Sequence, residues 1–467
     1  MSEEKKNDRT YSAKIVVSFS LTSFAIILLQ NILFIQLPIF YEVEIGLPVI
    51  FMLIAITIYT LWDAFNDLIA GSVTDRITRF TKRWGKRFPW IIISSIPICF
   101  ALPFLFAPPD INLVGVIGIF LWFLIALLVF DGLNSFWTVS YYALASDKFR
   151  SDKNRTSVAT YSAVFATLGG AIAALVLPMF IVFGNPSSYL TGTIIFSVIA
   201  LIFILLSIPG VRESRKMIDR ALSTQKSQNE EPFVKDFFKS MKIGFKSKNF
   251  IGYIAFSIGN AIFVALFLPS MLFYVKYVLK MEAGIASFIA IPYVLAGLLP
   301  LPLFFWLTNK YGHLKLFKIG ILLMPLSLVP LLFASDLMFV LVTAIFIGMF
   351  PSLIGVAGGA IRGDFIDEGS IAKGKRVDGT YNAIVVFITR VGTIIQYLTI
   401  FLIHDVFTDF DPGAIDQSLI AIWGLRVQIA LVPIVALYLG AFVFIKLWNI
   451  TKEKSDLQKK KLEELNF

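Results

Sequence analysis

The sequence predicts an all-α membrane protein whose twelve transmembrane helices form two pseudo-symmetric six-helix bundles. Three observations carry that expectation: the composition, a dozen long apolar stretches, and one long polar interruption near mid-chain. Of the 467 residues, 57% are hydrophobic and 15% charged, whereas soluble domains sit nearer half apolar and a quarter charged. A chain of this kind needs apolar residues outside as well as inside, because its solvent is lipid. The apolar stretches are continuous rather than alternating at every second residue, which excludes a transmembrane β-barrel. Helices, which satisfy their own backbone hydrogen bonds, are then the spanning elements.

A spanning helix takes about 20 apolar residues. Such stretches fall at about 13–41, 47–72, 88–107, 113–145, 157–182 and 188–210, then 249–278, 284–308, 315–333, 337–360, 379–404 and 420–448. The polar segment Val211–Lys248 separates the two sixes. The expected organisation is an N-terminal bundle (1–210), a linker (211–248), a C-terminal bundle (249–448) and a tail (449–467). In the linker, Phe233, Phe237 and Met241 recur at helical spacing while Lys235, Lys239, Lys242 and Lys246 line another face. That pattern predicts an amphipathic helix lying on the inner membrane surface.

Charge fixes the orientation. The net charge is +10, and the basic residues gather in alternate loops. Arg76, Arg79, Lys82, Arg83, Lys86 and Arg87 lie between the second and third stretches; Lys148, Arg150, Lys153 and Arg155 follow the fourth. The opposite loops carry Glu42, Glu44, Asp110 and Asp336, and the segment from His404 to Gln417 holds four aspartates and no Lys or Arg. The positive-inside rule then puts both termini and the linker in the cytoplasm of a cell whose inner membrane holds the chain. With its basic residues so distributed, and without zinc spacings, a phosphate-binding glycine loop or a nucleophile elbow, the chain reads neither as a nucleic-acid binder nor as an enzyme. The single cysteine, Cys99, permits no intramolecular disulfide and reads as a small buried hydrophobe. The first apolar stretch is too long for a signal-peptide core and is expected to remain in the mature protein.

Ionisable residues deep in a membrane cost at least about 2.5–3.5 kcal/mol each, so the few present are candidates for function. They are Asp63 and Asp67 in the second stretch, Asp131 in the fourth and Arg390 in the eleventh. Asp63 and Asp67, four residues apart, share one helical face with Asn66 beside them. Two such carboxylates need something positive near them: a sodium ion, a proton or an arginine. At 1.5 Å per residue, Asp63 lies roughly 20 Å from Arg76 and Arg390 roughly 21 Å from Arg376, so Arg390 is a charge partner at matching depth. Lys276 and Arg426, near helix ends, can snorkel to water.

The run Trp62-Asp63-Ala64-Phe65-Asn66-Asp67, with Gly71, Asp75-Arg76, Arg83-Trp84-Gly85-Lys86 and Pro89-Trp90, resembles the signature of the glycoside–pentoside–hexuronide:cation symporters of the major facilitator superfamily. Tyr142-Ala143-Leu144 through Arg155-Thr156, Arg362-Gly363-Asp364 through Gly379-Thr380-Tyr381, and Gly424-Leu425-Arg426 extend the match in order along almost the whole chain. The resemblance implies alternating access, with no cofactor and with Asp63, Asn66 and Asp67 as the site of a coupling cation, Na+ or H+; Asp63 and Asp67 would ligate the metal if sodium is used. It also implies that the loop holding Asp75, Arg76 and Arg83 gates the cytoplasmic side. Arg390 stands where a family member has a lysine, as a fixed positive charge.

The family's sugar site is matched less closely. Ile27 falls at its first-helix aspartate, with Gln30 and Asn31 the nearest polar residues, and Thr138 and Tyr142 fall at its fourth-helix aspartate and tryptophan, with Asp131 and Trp137 elsewhere on that helix. These six polar and aromatic residues are the substrate-path candidates. The expected function is cation-coupled symport of a sugar or glycoside-type solute by a monomer in the bilayer. A sodium-coupled lysophospholipid or amphiphile transporter is the alternative, since 46 phenylalanines suit a less polar cargo. A non-transporting scaffold would gain nothing from its intramembrane charges.

Overall fold

In the computed structural model, which describes residues 11–224, 233–374 and 377–464, twelve helices are long and apolar enough to cross a membrane. In chain order they are α1 (Ala13–Glu44), α2 (Val49–Thr74), α3 (Phe88–Leu105), α4 (Ile111–Lys148), α5 (Lys153–Phe180) and α6 (Pro186–Val211), followed by α7 (Lys248–Val278), α8 (Ile285–Tyr311), α9 (His313–Leu332), α10 (Leu337–Lys373), α11 (Asp378–Phe407) and α12 (Leu419–Leu447). Shorter helices cover Arg215–Thr224, Phe233–Gly244 and Lys452–Glu464. The charged stretch to Thr10 and the positions Gln228 and Arg376 lie outside the described residues.

Local chemistry sets the ends. Asp110, Ser151, Asn185, Ser247, Asp336 and Ser418 each accept a backbone N–H of the helix they open, satisfying groups a helix cannot bond internally. Gly374, at φ +68°, ends α10 in the left-handed conformation that glycine adopts most easily. α4 and α10 outrun their apolar stretches, reaching Lys148 and Lys373, because helix propensity continues after hydropathy stops.

The chain divides into two compact units, Met1–Glu230 and Glu231–Phe467, with the boundary inside the linker. Each is built to one plan. In the first unit α1 packs on α5 and α6, α4 on α2 and α3, and α3 on α6; in the second, α7 packs on α11 and α12, α10 on α8 and α9, and α9 on α12. Details repeat as well. α1 and α7 both end in a π-helical turn, Phe40–Glu44 and Tyr274–Val278. The Tyr41 hydroxyl donates to the Leu105 carbonyl at the end of α3 (2.6 Å), and that of Tyr274 to the Leu331 and Ala334 carbonyls at the end of α9 (3.1 and 2.6 Å).

Without a hydrophobic drive between helices in lipid, close van der Waals approach holds them. Gly259 of α7 and Gly440 of α12 permit it: a Cβ on either would come within 2.5–2.7 Å of a facing carbonyl oxygen, Ala436 or Ala255.

Candidate functional site

The first unit gathers most of the candidates around α2 and α4. Asn66, 2% exposed, donates its amide to the Asp131 carboxylate (Oδ2, 3.0 Å) and to the Asp131 carbonyl (3.2 Å). This fastens α2 to α4 at mid-length. Asp131 is itself 1% exposed, and its Oδ1 has no hydrogen-bond donor. The Asp63 carboxyl lies within hydrogen-bonding reach of Asp131, and the Asp67 charge acts on it too. Two carboxylates cannot hydrogen-bond to each other, since neither has a proton to give. Such a contact is eased by a proton, a bound cation or a basic side chain nearby. Asp63 and Asp67 are half-buried, so the cluster is open on one side. Among the described residues no three His, Cys, Asp or Glu side chains are spaced to hold a metal ion; the donor set, hard carboxylate and amide oxygens, suits a hard cation or a proton.

The substrate-path candidates divide. Gln30 of α1 donates to the Asn134 side chain of α4 (3.1 Å), one turn from Asp131. Asn31 faces Gly170 of α5, where a Cβ would come within 3.2 Å of its amide nitrogen. Thr138 is half-buried and bonds back to the Asn134 carbonyl (2.9 Å). Tyr142 is 59% exposed, whereas Trp137 is 1% exposed and sits in the core of the unit. Asp131 is in contact with Asn66 and Asp63. Asn134 was not visible as a candidate from the sequence; its partner stands 104 residues away.

Around the loop between α2 and α3, Asp75 pairs with Arg87 (2.5 Å) and Lys86 (2.9 Å). Arg87 also donates to Thr74 (2.8 Å). Glu213, just after α6, accepts the backbone N–H groups of Arg87 (2.8 Å) and Phe88 (3.0 Å), so one carboxylate caps α3. Lys148 donates to the Gly210 and Arg212 carbonyls at the end of α6. Arg83 lies over the Trp84 ring at 5.4 Å, and Arg76 is exposed. Arg87 and Glu213 are thus the structural hub of this loop. Sequence alone counted Arg87 as one basic residue among six.

Arg390 belongs to the second unit, at the one-residue joint between the helical stretches Asp378–Thr389 and Val391–Phe401 of α11. In the same unit, Asp364 of α10, 4% exposed, accepts from Ser455 of the C-terminal helix (2.6 Å) and lies 3.4 Å from His313 of α9.

Among the described residues, twelve apolar helices fall into two units of one internal plan, an architecture shared with solved membrane transporters. The solved structure of a bacterial homolog of the human lysosomal transporter Spinster superposes with a TM-score of 0.62, at 12% identity, covering 95% of this chain and all of that one. The MFS/sugar transport protein family model matches residues 18–452, and the chain belongs to that family. The family resemblance read from the sequence is therefore borne out. Similar curated proteins include the uncharacterized symporter YnaJ of Bacillus subtilis (24% identical, covering 86% of this chain and 84% of that one). The sodium-dependent lysophosphatidylcholine symporter 1 of Gallus gallus is 22% identical, with 86% and 80% covered.

Proposed function

We propose that the protein is a symporter that couples entry of an uncharged organic solute, with a sugar or glycoside as first choice, to a cation at Asp63, Asn66, Asp67 and Asp131. The observation that carries this reading is the buried Asp131 carboxylate, tied by Asn66 and left with an unpartnered oxygen beside Asp63. Carboxylates gathered inside a membrane are costly. Binding Na+ or H+ lowers that cost, and alternating access then follows the cation. Arg390 enters as the fixed counter-charge that the sequence assigns to it. Gln30, Asn31, Asn134 and Thr138 supply neutral donors and acceptors for hydroxyl-bearing cargo. The chain's relation to a protein named as a lysophosphatidylcholine symporter and its isoleucine at position 27 favour a second reading, an amphiphilic cargo.

A thermal-shift screen of purified protein against sugars and lysolipids, with and without sodium and across pH, separates the two cargoes and the two cations. With the cargo in hand, Asp67→Asn in proteoliposomes should retain counterflow and lose gradient-driven accumulation. Accumulation at the unchanged cation dependence would remove Asp67 from the site.

A further inference from the structure

The short helix Phe233–Gly244 runs up to the start of α7 and does not leave its whole apolar side to the membrane. Phe237, 5% exposed, meets Phe387 of α11 edge-on at 5.7 Å. Ser240, fully buried, accepts from Lys373 of α10. Gly244 lets the chain fold onto the first turn of α7, since a Cβ there would come within 3.0 Å of the Phe250 ring. Phe250 in turn meets Phe245 edge-on at 5.5 Å. The rotation of the helix about its axis is therefore fixed by the second unit.

That rotation turns a different set of residues outward. Phe238 (48%) and Phe245 (45%) are exposed, as are Lys242 and Lys246. Phe238 and Lys242 are four apart, hence on one face, and Phe245 follows the last helical residue with its N–H still bonded to the Met241 carbonyl (3.0 Å). Lys248, the first residue of α7, is exposed beside them. The nearby carboxylate, Glu368, is engaged by Ser247 (2.6 Å) and Asn249 (3.1 Å). The outward face thus combines two large rings with three ammonium groups close to the start of α7. Rings of this size are poorly placed in water and well placed at the boundary of acyl chains and headgroups.

We propose that this face binds anionic phospholipid headgroups of the adjoining leaflet, with Phe238 and Phe245 seated at the acyl boundary and Lys242, Lys246 and Lys248 on lipid phosphates. The inference rests on the positive-inside orientation and is independent of the cargo. The cytoplasmic leaflet carries a negative surface potential, and each lysine near it strengthens the attraction about fivefold. Charge complementarity selects lipid over an acidic protein, which would offer no apolar boundary for the rings.

The test is local. The full chain carrying Phe238→Cys labelled with bimane, with buried Cys99 left in place, is set in phosphatidylcholine nanodiscs. These contain a minor nitroxide-labelled lipid, either phosphatidylglycerol or phosphatidylcholine. Quenching by the phosphatidylglycerol should exceed that by the phosphatidylcholine several-fold, and the excess should shrink as salt screens the charges. Joint Lys242→Gln, Lys246→Gln and Lys248→Gln should bring the two lipids level, leaving the phosphatidylcholine signal and the unfolding midpoint in detergent unchanged. A second label at Phe245→Cys should report the same. Equal quenching by both lipids in the lysine-bearing protein, or none by either, overturns the proposal.

Discussion

Asn66→Ala probes the link between α2 and α4 most directly. The substitution removes two hydrogen bonds from a side chain that is 2% exposed, one to the Asp131 carboxylate (3.0 Å) and one to its carbonyl (3.2 Å). Neutral hydrogen bonds between membrane helices average about 0.6 kcal/mol, with the largest about 1.7. A bond to a charged acceptor lies higher, at about 1.5–3 kcal/mol. The expected loss is therefore about 2–3.5 kcal/mol, plus a small cavity contribution. Thr60→Val is the matched control, because the Thr60 hydroxyl bonds within its own helix, to Ile56 (2.8 Å). It should cost well under about 1 kcal/mol. Asp131→Asn should run the other way. It relieves the contact with Asp63, and should raise the cation-free unfolding midpoint while abolishing any rise on adding sodium or acid. The assay is thermal unfolding of detergent-purified protein along a sodium series and a pH series. If Asn66→Ala unfolds with the Thr60→Val control and keeps the wild-type cation response, the Asn66–Asp131 link has no part in the site.

Three further outcomes follow from the packing and the loops. We predict that Gly348→Ala, whose Cβ would come within 2.0 Å of the Tyr293 carbonyl oxygen, destabilises by about 1–3 kcal/mol or more in detergent unfolding; Gly359→Ala, with nothing within 4 Å of its Cβ, should stabilise α10 by about 0.5–1 kcal/mol. The Lys280 ammonium hydrogen-bonded to Asp416 (2.5 Å) holds that carboxyl below its ordinary range. The pair's contribution is thus present above the unfolded carboxylate pKa and lost as pH falls through the lower folded value. Lys280→Gln should lift the Asp416 titration back to the ordinary range in infrared spectra, and an unmoved titration would refute the pairing.

The spans were legible because lipid imposes a length and a polarity on every one of them. Their outer ends were less so. The stretch from Arg362 to Lys373 carries charge and still continues α10, and hydropathy cannot see a helix that has left the apolar layer. Asp63, Asn66 and Asp67 were visible because their spacing within one helix is written in sequence. Asn66 meeting Asp131, and Gln30 meeting Asn134, join residues 65 and 104 positions apart, and only tertiary packing decides such pairs. The linker helix shows the same limit. Its periodicity was plain, yet Phe237 turned to the protein and Phe238 outward, a choice made by Phe387 and Gly244.

The tie between Asp364 and Ser455 has a consequence for synthesis. The hydroxyl that completes the end of α10 is encoded 91 residues after the carboxylate it serves. At about 5–20 residues per second, roughly 5–18 s of translation separate the two. Through that interval α11 and α12 are made and inserted while Asp364 has His313 of α9 beside it. The C-terminal helix is therefore the fastening that closes the second unit, and a ribosome pausing after α12 would leave that unit threaded through the bilayer but unlatched.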